Sequence, residues 1–353
     1  MTLRAFISVT VSIMLLTGCV KDRVDRAGEP RPISFAGSVV TTTKAAPLKP
    51  DDPSVLISEG NSAGVFGTRV VGDDSRQIFY NRELHCDAVP DPATPEDPLS
   101  SVWNYSPLEY WEDGGQYFFT AVFPYAADNA RIDNAYYLNM TFRASDSDDL
   151  MVARAYRDAR SDGYSKDPVP LQFKHATSAV RFLFGKASSS SSDNYYLTGF
   201  RLDNMAVAGT LNVISRITDA SQNDIVLGNW TKGATGSLFS WTAISVEYQK
   251  EVPHPDDSDD PGDYLPMGWY YMVPHELEAG ATLVFSISYN GGEPVEIPLS
   301  IHDRDGSTGA DTWEPNCVYN YYITLTSGGL DLTVKTIPWD EVTVTTDDFF
   351  FEG

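Results

Sequence analysis

The chain has 353 residues with 49 acidic against 25 basic side chains, a formal net charge of −24 and a pI near 4.4. Such a charge repels nucleic acid and anionic lipid surfaces, which argues against a nucleic-acid partner and suits a protein kept in solution outside the cell. A 42% hydrophobic, 12% aromatic composition supplies cores for two domains of ordinary size, and 26 Gly and 22 Pro call for many turns.

The chain opens on a basic residue, Arg4, and an apolar run from Ala5 to Leu16. Spanning a bilayer of roughly 30 Å takes about 20 apolar residues, so the run is too short to cross and has the size of a signal-peptide core. It ends in Leu16-Thr17-Gly18-Cys19, which resembles a bacterial lipobox. The resemblance implies diacylglycerol on the Cys19 sulfur, cleavage before Cys19 and acylation of the new N-terminus. Two or three acyl chains, at about 0.8 kcal/mol per buried methylene, anchor a protein firmly. The alternative is a plain signal peptide that happens to end at a cysteine. No second apolar stretch approaches spanning length, so a lipid on Cys19 is the expected membrane attachment. Cys86 and Cys317 are far apart and do not make a disulfide framework.

Residues 20–32 read as a polar tether. Ile33–Val40 alternates, with Ile33, Phe35 and Val39 on one face, and predicts a strand. Thr41–Pro53 is a Thr/Lys/Pro/Asp linker without periodicity, so this first strand stands between two unpatterned pieces. Ser62–Val71 is the next strand, and Asp87–Leu99, with four prolines, is a surface loop. Gly115–Tyr125 is apolar on both faces, as in a strand covered on both sides. Tyr136, Leu138, Met140 and Phe142 alternate with Tyr137, Asn139, Thr141 and Arg143, a one-sided strand. Asp149–Ala159 predicts a short helix or turn, and Leu171–Phe184 reads as a hinge between domains. Alternation then resumes at Val180/Phe182/Phe184, Phe200/Leu202, Leu211/Val213, Leu283/Phe285/Ile287/Tyr289, Val295/Ile297/Leu299, Tyr319/Tyr321/Ile323/Leu325 and Leu330/Leu332/Val334. Helical periodicity is almost absent. Short strands separated by turn clusters predict an all-β fold of two antiparallel β-sandwich domains, at 33–174 and 175–353.

Patterns that carry chemistry are sparse. Gly60-Asn61-Ser62-Ala63-Gly64 matches the Gly-x-Ser-x-Gly elbow of hydrolases, but that elbow needs a strand before it and a helix after it in an α/β fold. Here a β-like segment follows, and the match reads as turn chemistry. His85, His175, His254, His275 and His302 lack zinc-ligand spacing. The acidic run Asp256–Asp263 fails the calcium-loop template, with Pro261 where Gly belongs and Met267 where Glu belongs, and reads as a solvated loop. Trp103, Tyr105, Tyr110 and Trp111 read as core aromatics rather than a sugar-stacking platform. No catalytic residue, metal or cofactor is expected.

Several segments together resemble the fimbrillin-like proteins of Bacteroidetes, the pilins and accessory subunits of type V pili. The lipobox is the first; the early strand followed by Thr43-Lys44-Ala45, and Gly64-Val65-Phe66, are the next. Trp103 followed by Tyr110-Trp111, the run Tyr117–Tyr125, Asp149–Ala153 and Leu171–Phe182 continue the series. Tyr271–His275, Trp313–Tyr321 and Ile337-Pro338-Trp339 close it. The resemblance implies two transthyretin-like β-sandwiches and export as a lipoprotein to the outer membrane surface. It also implies trimming by a trypsin-like protease after a basic residue beyond the first strand, then polymerisation with other pilin subunits by donor-strand exchange. Many members carry an arginine at the cut; Lys44 stands at the matching position here, with Arg26 and Arg31 as other basic candidates. Arg31 precedes Pro32, which trypsin-like enzymes cleave poorly.

The physical side of this reading is that a strand between two unpatterned segments leaves with one cut, exposing backbone groups and an apolar groove that demand another strand. Refilling about four buried side chains at roughly 1.5–3 kcal/mol each returns about 6–12 kcal/mol before ordering costs. A first strand set inside its sheet with a partner on each flank would count against the assembly reading as a whole. Val342–Phe351 is a candidate strand for donation, interrupted by Asp347-Asp348. The expected role is a structural or accessory fimbrial subunit contributing to adhesion. The alternative is a monomeric surface lipoprotein that keeps its first strand and binds glycans or another host or bacterial surface ligand.

Overall fold

A computed structural model describes residues 31–39, 62–86, 101–112, 114–125, 130–134, 138–145, 149–159, 168–187, 194–213, 229–243, 250–254, 263–302, 311–326 and 329–338. Among them the chain forms strands and turns and no α-helix. The first half holds β1 (Phe35–Val39), β2 (Ser62–Val71), β3 (Asp74–Cys86), β4 (Ser101–Asn104), β5 (Gln116–Phe123), β6 (Ala130–Asn134), β7 (Asn139–Arg143), β8 (Met151–Asp158) and β9 (Val169–His175). Then follow β10 (Ser178–Lys186), β11 (Tyr195–Ala206), β12 (Ala208–Asn212), β13 (Asn229–Lys232), β14 (Thr235–Thr242), β15 (Lys250–Glu251) and β16 (Leu265–Met272). The last are β17 (His275–Glu276), β18 (Thr282–Tyr289), β19 (Val295–Ser300), β20 (Thr312–Trp313), β21 (Cys317–Thr326) and β22 (Gly329–Pro338).

Seven strands close into a ring in the order β1-β4-β3-β2-β5-β8-β9. Every rung is antiparallel except the one that closes it, β1 on β9. β5 shows why the ring forms. Tyr117, Phe119, Ala121 and Phe123 alternate into the ring's core with Phe35, Phe79, Trp103 and Phe173, while Val122 turns the other way into a second apolar cluster. Both faces are covered, as the continuous apolar run predicts.

Two open sheets, β16-β10-β21-β22 and β14-β11-β18-β19, enclose another core. Val180, Phe182 and Phe184 of β10 and Tyr319, Tyr321 and Ile323 of β21 meet Leu197, Phe200 and Leu202 of β11 and Leu283, Phe285 and Ile287 of β18. The two-residue period of these strands is the sequence alternation made visible.

A fourth sheet, β13-β12-β7-β6, takes strands from both sides of residue 174. β7 and the residue before it bury Leu138, Met140 and Phe142, as the alternation predicts, and β7 pairs with β12 from Arg143↔Ala208 to Asn139↔Asn212. Beneath lies the cluster that receives Val122: Phe66, Leu138, Met140, Phe142 and Val152 from one side, Ala179, Leu211, Trp269, Tyr271 and Val318 from the other. A Cβ at Gly209 would stand 2.5 Å from Val273 Cγ1, so glycine is what lets β12 lie this close.

Two expectations need correction. Asp149–Ala159 is not a helix or turn but carries β8, held antiparallel against β5 from Phe123↔Met151 to Gln116↔Asp158. Its Ala and Arg residues favour helix on propensity alone, and two-sided burial in the ladder overrides that preference. Leu171–Phe184 is not a hinge. It is β9 and β10, and the turn between them, Ala176-Thr177, is fully buried. Asp149 accepts hydrogen bonds from the His175 ring and the Thr177 hydroxyl there, and the Trp230 indole N–H donates to the Ala176 carbonyl at 2.8 Å. A segment tied this way on both sides does not bend freely.

Candidate functional site: the seat of the first strand

The short strand β1 lies between two others. On one flank it runs antiparallel to β4, Phe35 opposite Trp103 and Gly37 opposite Ser101. On the other it runs parallel to β9, from Phe35↔Val169 to Val39↔Phe173, and Val169 N–H donates to the Ser34 carbonyl at 2.7 Å. Its lead-in is also fastened: Ile33 N–H donates to Glu109 O at 2.8 Å and Trp111 N–H to Arg31 O at 2.9 Å.

Phe35 is fully buried, and the rings of Phe79, Tyr105 and Phe119 meet it edge-on at 5.5, 5.9 and 5.3 Å. Ile33 is buried beside it. The Tyr105 hydroxyl donates to the Ile33 carbonyl at 2.7 Å, and burial pushes its pKa up to about 12, so it remains a donor at any physiological pH. Burial of the two side chains stabilises the seat by about 3–6 kcal/mol, and edge-on aromatic contacts add about 0.5–1.5 kcal/mol each.

The expectation that this strand leaves with one cut is therefore corrected: β1 has a hydrogen-bonded neighbour on each flank. That argues against its loss through a cut alone, because departure would open two strand edges and leave a gap beside Phe79 and Phe119. A parallel rung between distant segments has no local sequence signature, so the pairing of β9 with β1 is not legible in the sequence. The alternation Val169, Leu171, Phe173 against Pro170, Gln172, Lys174 was the available sign.

The other expected residues fall as follows. Cys19, Arg26 and Lys44, and the acidic run 256–262, lie outside the described residues, as does Val342–Phe351. Arg31 is described, and the bridge Pro32↔Tyr110 follows it directly. A protease must draw its substrate into an extended cleft, so this tied backbone adds to the obstacle posed by Pro32. Ser62 opens β2, its carbonyl accepting Tyr125 N–H at 2.8 Å, with strand rather than helix after it. Trp103, Tyr105 and Trp111 are in the ring's core, and only Tyr110, 44% exposed, faces outward from that quartet. His175 is buried on Asp149, His254 lies 2.8 Å from the Lys186 carbonyl and His275 2.7 Å from that of Val273. Among the described residues no group of three or more His, Cys, Asp or Glu is arranged to hold a metal.

The described residues thus form a ring closed by β1, joined through a shared core to a two-sheet sandwich. The chain belongs to the fimbrillin-like family, whose sequence pattern matches residues 58–345. It is accordingly a non-enzymatic structural protein of the cell-surface fimbrial class. A search of curated proteins returned no match. Among solved structures it is similar to a fimbrial protein from Bacteroides vulgatus (TM-score 0.56, 13% identity, 87% of this chain and 99% of that one). It is also similar to a candidate cell adhesion protein from Bacteroides uniformis (TM-score 0.51, 18% identity, 87% of this chain and 99% of that one). At these identities the likeness speaks for the fold.

Proposed function

We propose that this chain is a structural or accessory subunit of a cell-surface fimbrium, exported as a lipoprotein on Cys19 and joined to its neighbours by replacement of β1. Its two units, residues 33–174 and 175–353, are read as tandem transthyretin-like sandwiches, and its first location is the outer membrane surface. The observation that carries the reading is the seat of β1. Among the described residues this strand of five precedes every other, and Lys44 falls between it and β2 in the sequence. The same cut would part the body from the lipid on Cys19. A cut after Arg26 or Arg31 would leave β1 joined to the body.

Because β1 is bonded on both flanks, cleavage alone leaves it bound, and a competing strand must take its place. An incoming strand would pair with β4 on one side and β9 on the other while filling the Phe35 site, the mode of strand addition. Val342–Phe351 of another copy is the donor this sequence offers.

The test is mass spectrometry with size-exclusion chromatography after limited trypsin treatment. The reading expects cleavage after Lys44, loss of Ile33–Val40 from the body and growth of polymers, with Lys44→Ala remaining monomeric. Polymers that retain β1, or an uncut native protein found only as a monomer on cells, would contradict it.

A further inference from the structure

Where β13 passes beside β17, a cleft of about 570 Å³ opens, within the roughly 300–1,000 Å³ range of small-molecule sites. Its lining is mixed: an aromatic face from Trp230, the ion pair of Lys232 with Glu278, the imidazoles of His275 and His302, and the aliphatic wall of Leu277. None of these residues belongs to the seat of β1.

The pattern of β13 explains half of it. Trp230 and Lys232 are partly buried and their neighbours Asn229 and Thr231 exposed, so the period of two sets both on one face. The Trp230 ring is held in place before any ligand arrives: its N–H is spent on Ala176 O at 2.8 Å, and Phe142 meets it edge-on at 6.1 Å. Its contribution to a ligand is therefore its π face, which attracts the positively polarised C–H groups of a sugar ring.

The polar groups are equally specific. Lys232 Nζ donates to Glu278 Oε1 and has further N–H donors, while the carboxylate keeps free lone pairs. A donor and an acceptor locked side by side match two adjacent hydroxyls, one accepting from the ammonium and the other donating to the carboxylate. His275 is fixed edge-on to Trp313 at 5.5 Å, and its Nδ1 lies 2.7 Å from the Val273 carbonyl. Burial lowers its pKa, so near neutral pH the ring is uncharged, Nδ1–H donates to that carbonyl and Nε2 is an acceptor. His302 also lines the cleft, and its Nδ1 is buried with no hydrogen-bond partner among the described residues.

Charge narrows the class. One lysine faces two carboxylates, Glu276 and Glu278, on a chain whose net charge is −24, which disfavours phosphates, uronates and sialates. The polar lining disfavours a lipid tail. We infer that this cleft binds a neutral saccharide, with Trp230 beneath the ring and the Lys232–Glu278 pair clasping a vicinal diol. The site would make the subunit itself adhesive, and it stands independently of the β1 reading, because neither its residues nor its test involve assembly.

The test is saturation-transfer NMR followed by titration calorimetry on the intact protein with lactose, cellobiose, mannobiose and N,N′-diacetylchitobiose. At least one should bind with a Kd of about 1 mM or tighter. Lys232→Met and Glu278→Gln, both at partly exposed positions that leave the circular dichroism spectrum unchanged, should each weaken it by about fivefold or more. Trp230→Phe should lower affinity while a ring still packs on Phe142, and because it also gives up the hydrogen bond to Ala176 O its fold is checked by circular dichroism beside the parent. Failure of all four sugars to bind at about 10 mM, or binding indifferent to Lys232→Met and Glu278→Gln, overturns the inference. An assembly-deficient Lys44→Ala protein should bind sugar as the parent does.

Discussion

Asp149 shows how much a single buried carboxylate holds here. It is 5% exposed and accepts from both the His175 ring and the Thr177 hydroxyl, bridging the start of β8 to the turn between β9 and β10. Replacing it by alanine strands two buried polar groups at once, at about 1–3 kcal/mol each. Asp149→Ala should therefore lose about 3 kcal/mol in urea denaturation. Asp149→Asn keeps an acceptor and should lose less. His275 gives a pH signature. Burial lowers its pKa in the folded protein below the 6.5 it has when unfolded. The unfolded chain then takes up the proton first as pH falls, so the His275 contribution is complete above pH 6.5 and declines below it. Denaturation midpoints taken from pH 7.5 to 5.5 should fall, and His275→Gln should flatten that part of the slope.

The strands differ in how plainly they could be read. β5 and β7 were legible because burial is written directly in their residues: Tyr117–Phe123 apolar but for Thr120, and Met140 and Phe142 alternating with Asn139, Thr141 and Arg143. β8 was not, since Ala153, Arg154 and Ala155 suit a helix and only the ladders on β5 and β9 decide otherwise. The existence of β1 was legible and its position was not. Alternation in Ile33–Val40 says which face is buried, but it does not say how many neighbours bond the edges. Those neighbours come from β4 and from the distant β9, the latter through a parallel rung. The Tyr105 anchor was likewise hidden, because its aromatic ring reads as core while its hydroxyl finds Ile33 O only in three dimensions. At this scale, Phe35→Ala should cost about 3–5 kcal/mol, and Tyr105→Phe about 1 kcal/mol. Both are measurable as shifts in chemical denaturation, and both should hasten exchange of β1 after cleavage.

Across the whole molecule, the apolar cluster shared by the two halves has the larger consequence. Phe142, Val152, Leu211 and Tyr271 close against one another there, and Ser145 and Tyr271 exchange backbone hydrogen bonds at 3.0 and 2.6 Å. Residues 171–184 are part of this joint, so a fibre built from such subunits would bend between molecules rather than within them. Phe142→Ala should cost about 3–5 kcal/mol and lower the unfolding of both halves together, visible as one calorimetric transition moving as a unit.

The central claim is that β1 occupies a slot another copy's strand can take. It is tested most directly by cleaving the purified protein after Lys44 and following the fate of the released segment by native mass spectrometry as concentration is raised. The account predicts that the segment containing Ile33–Val40 stays bound at first, then leaves in proportion to polymer formed. A cleaved protein that keeps the segment indefinitely and remains monomeric would contradict it.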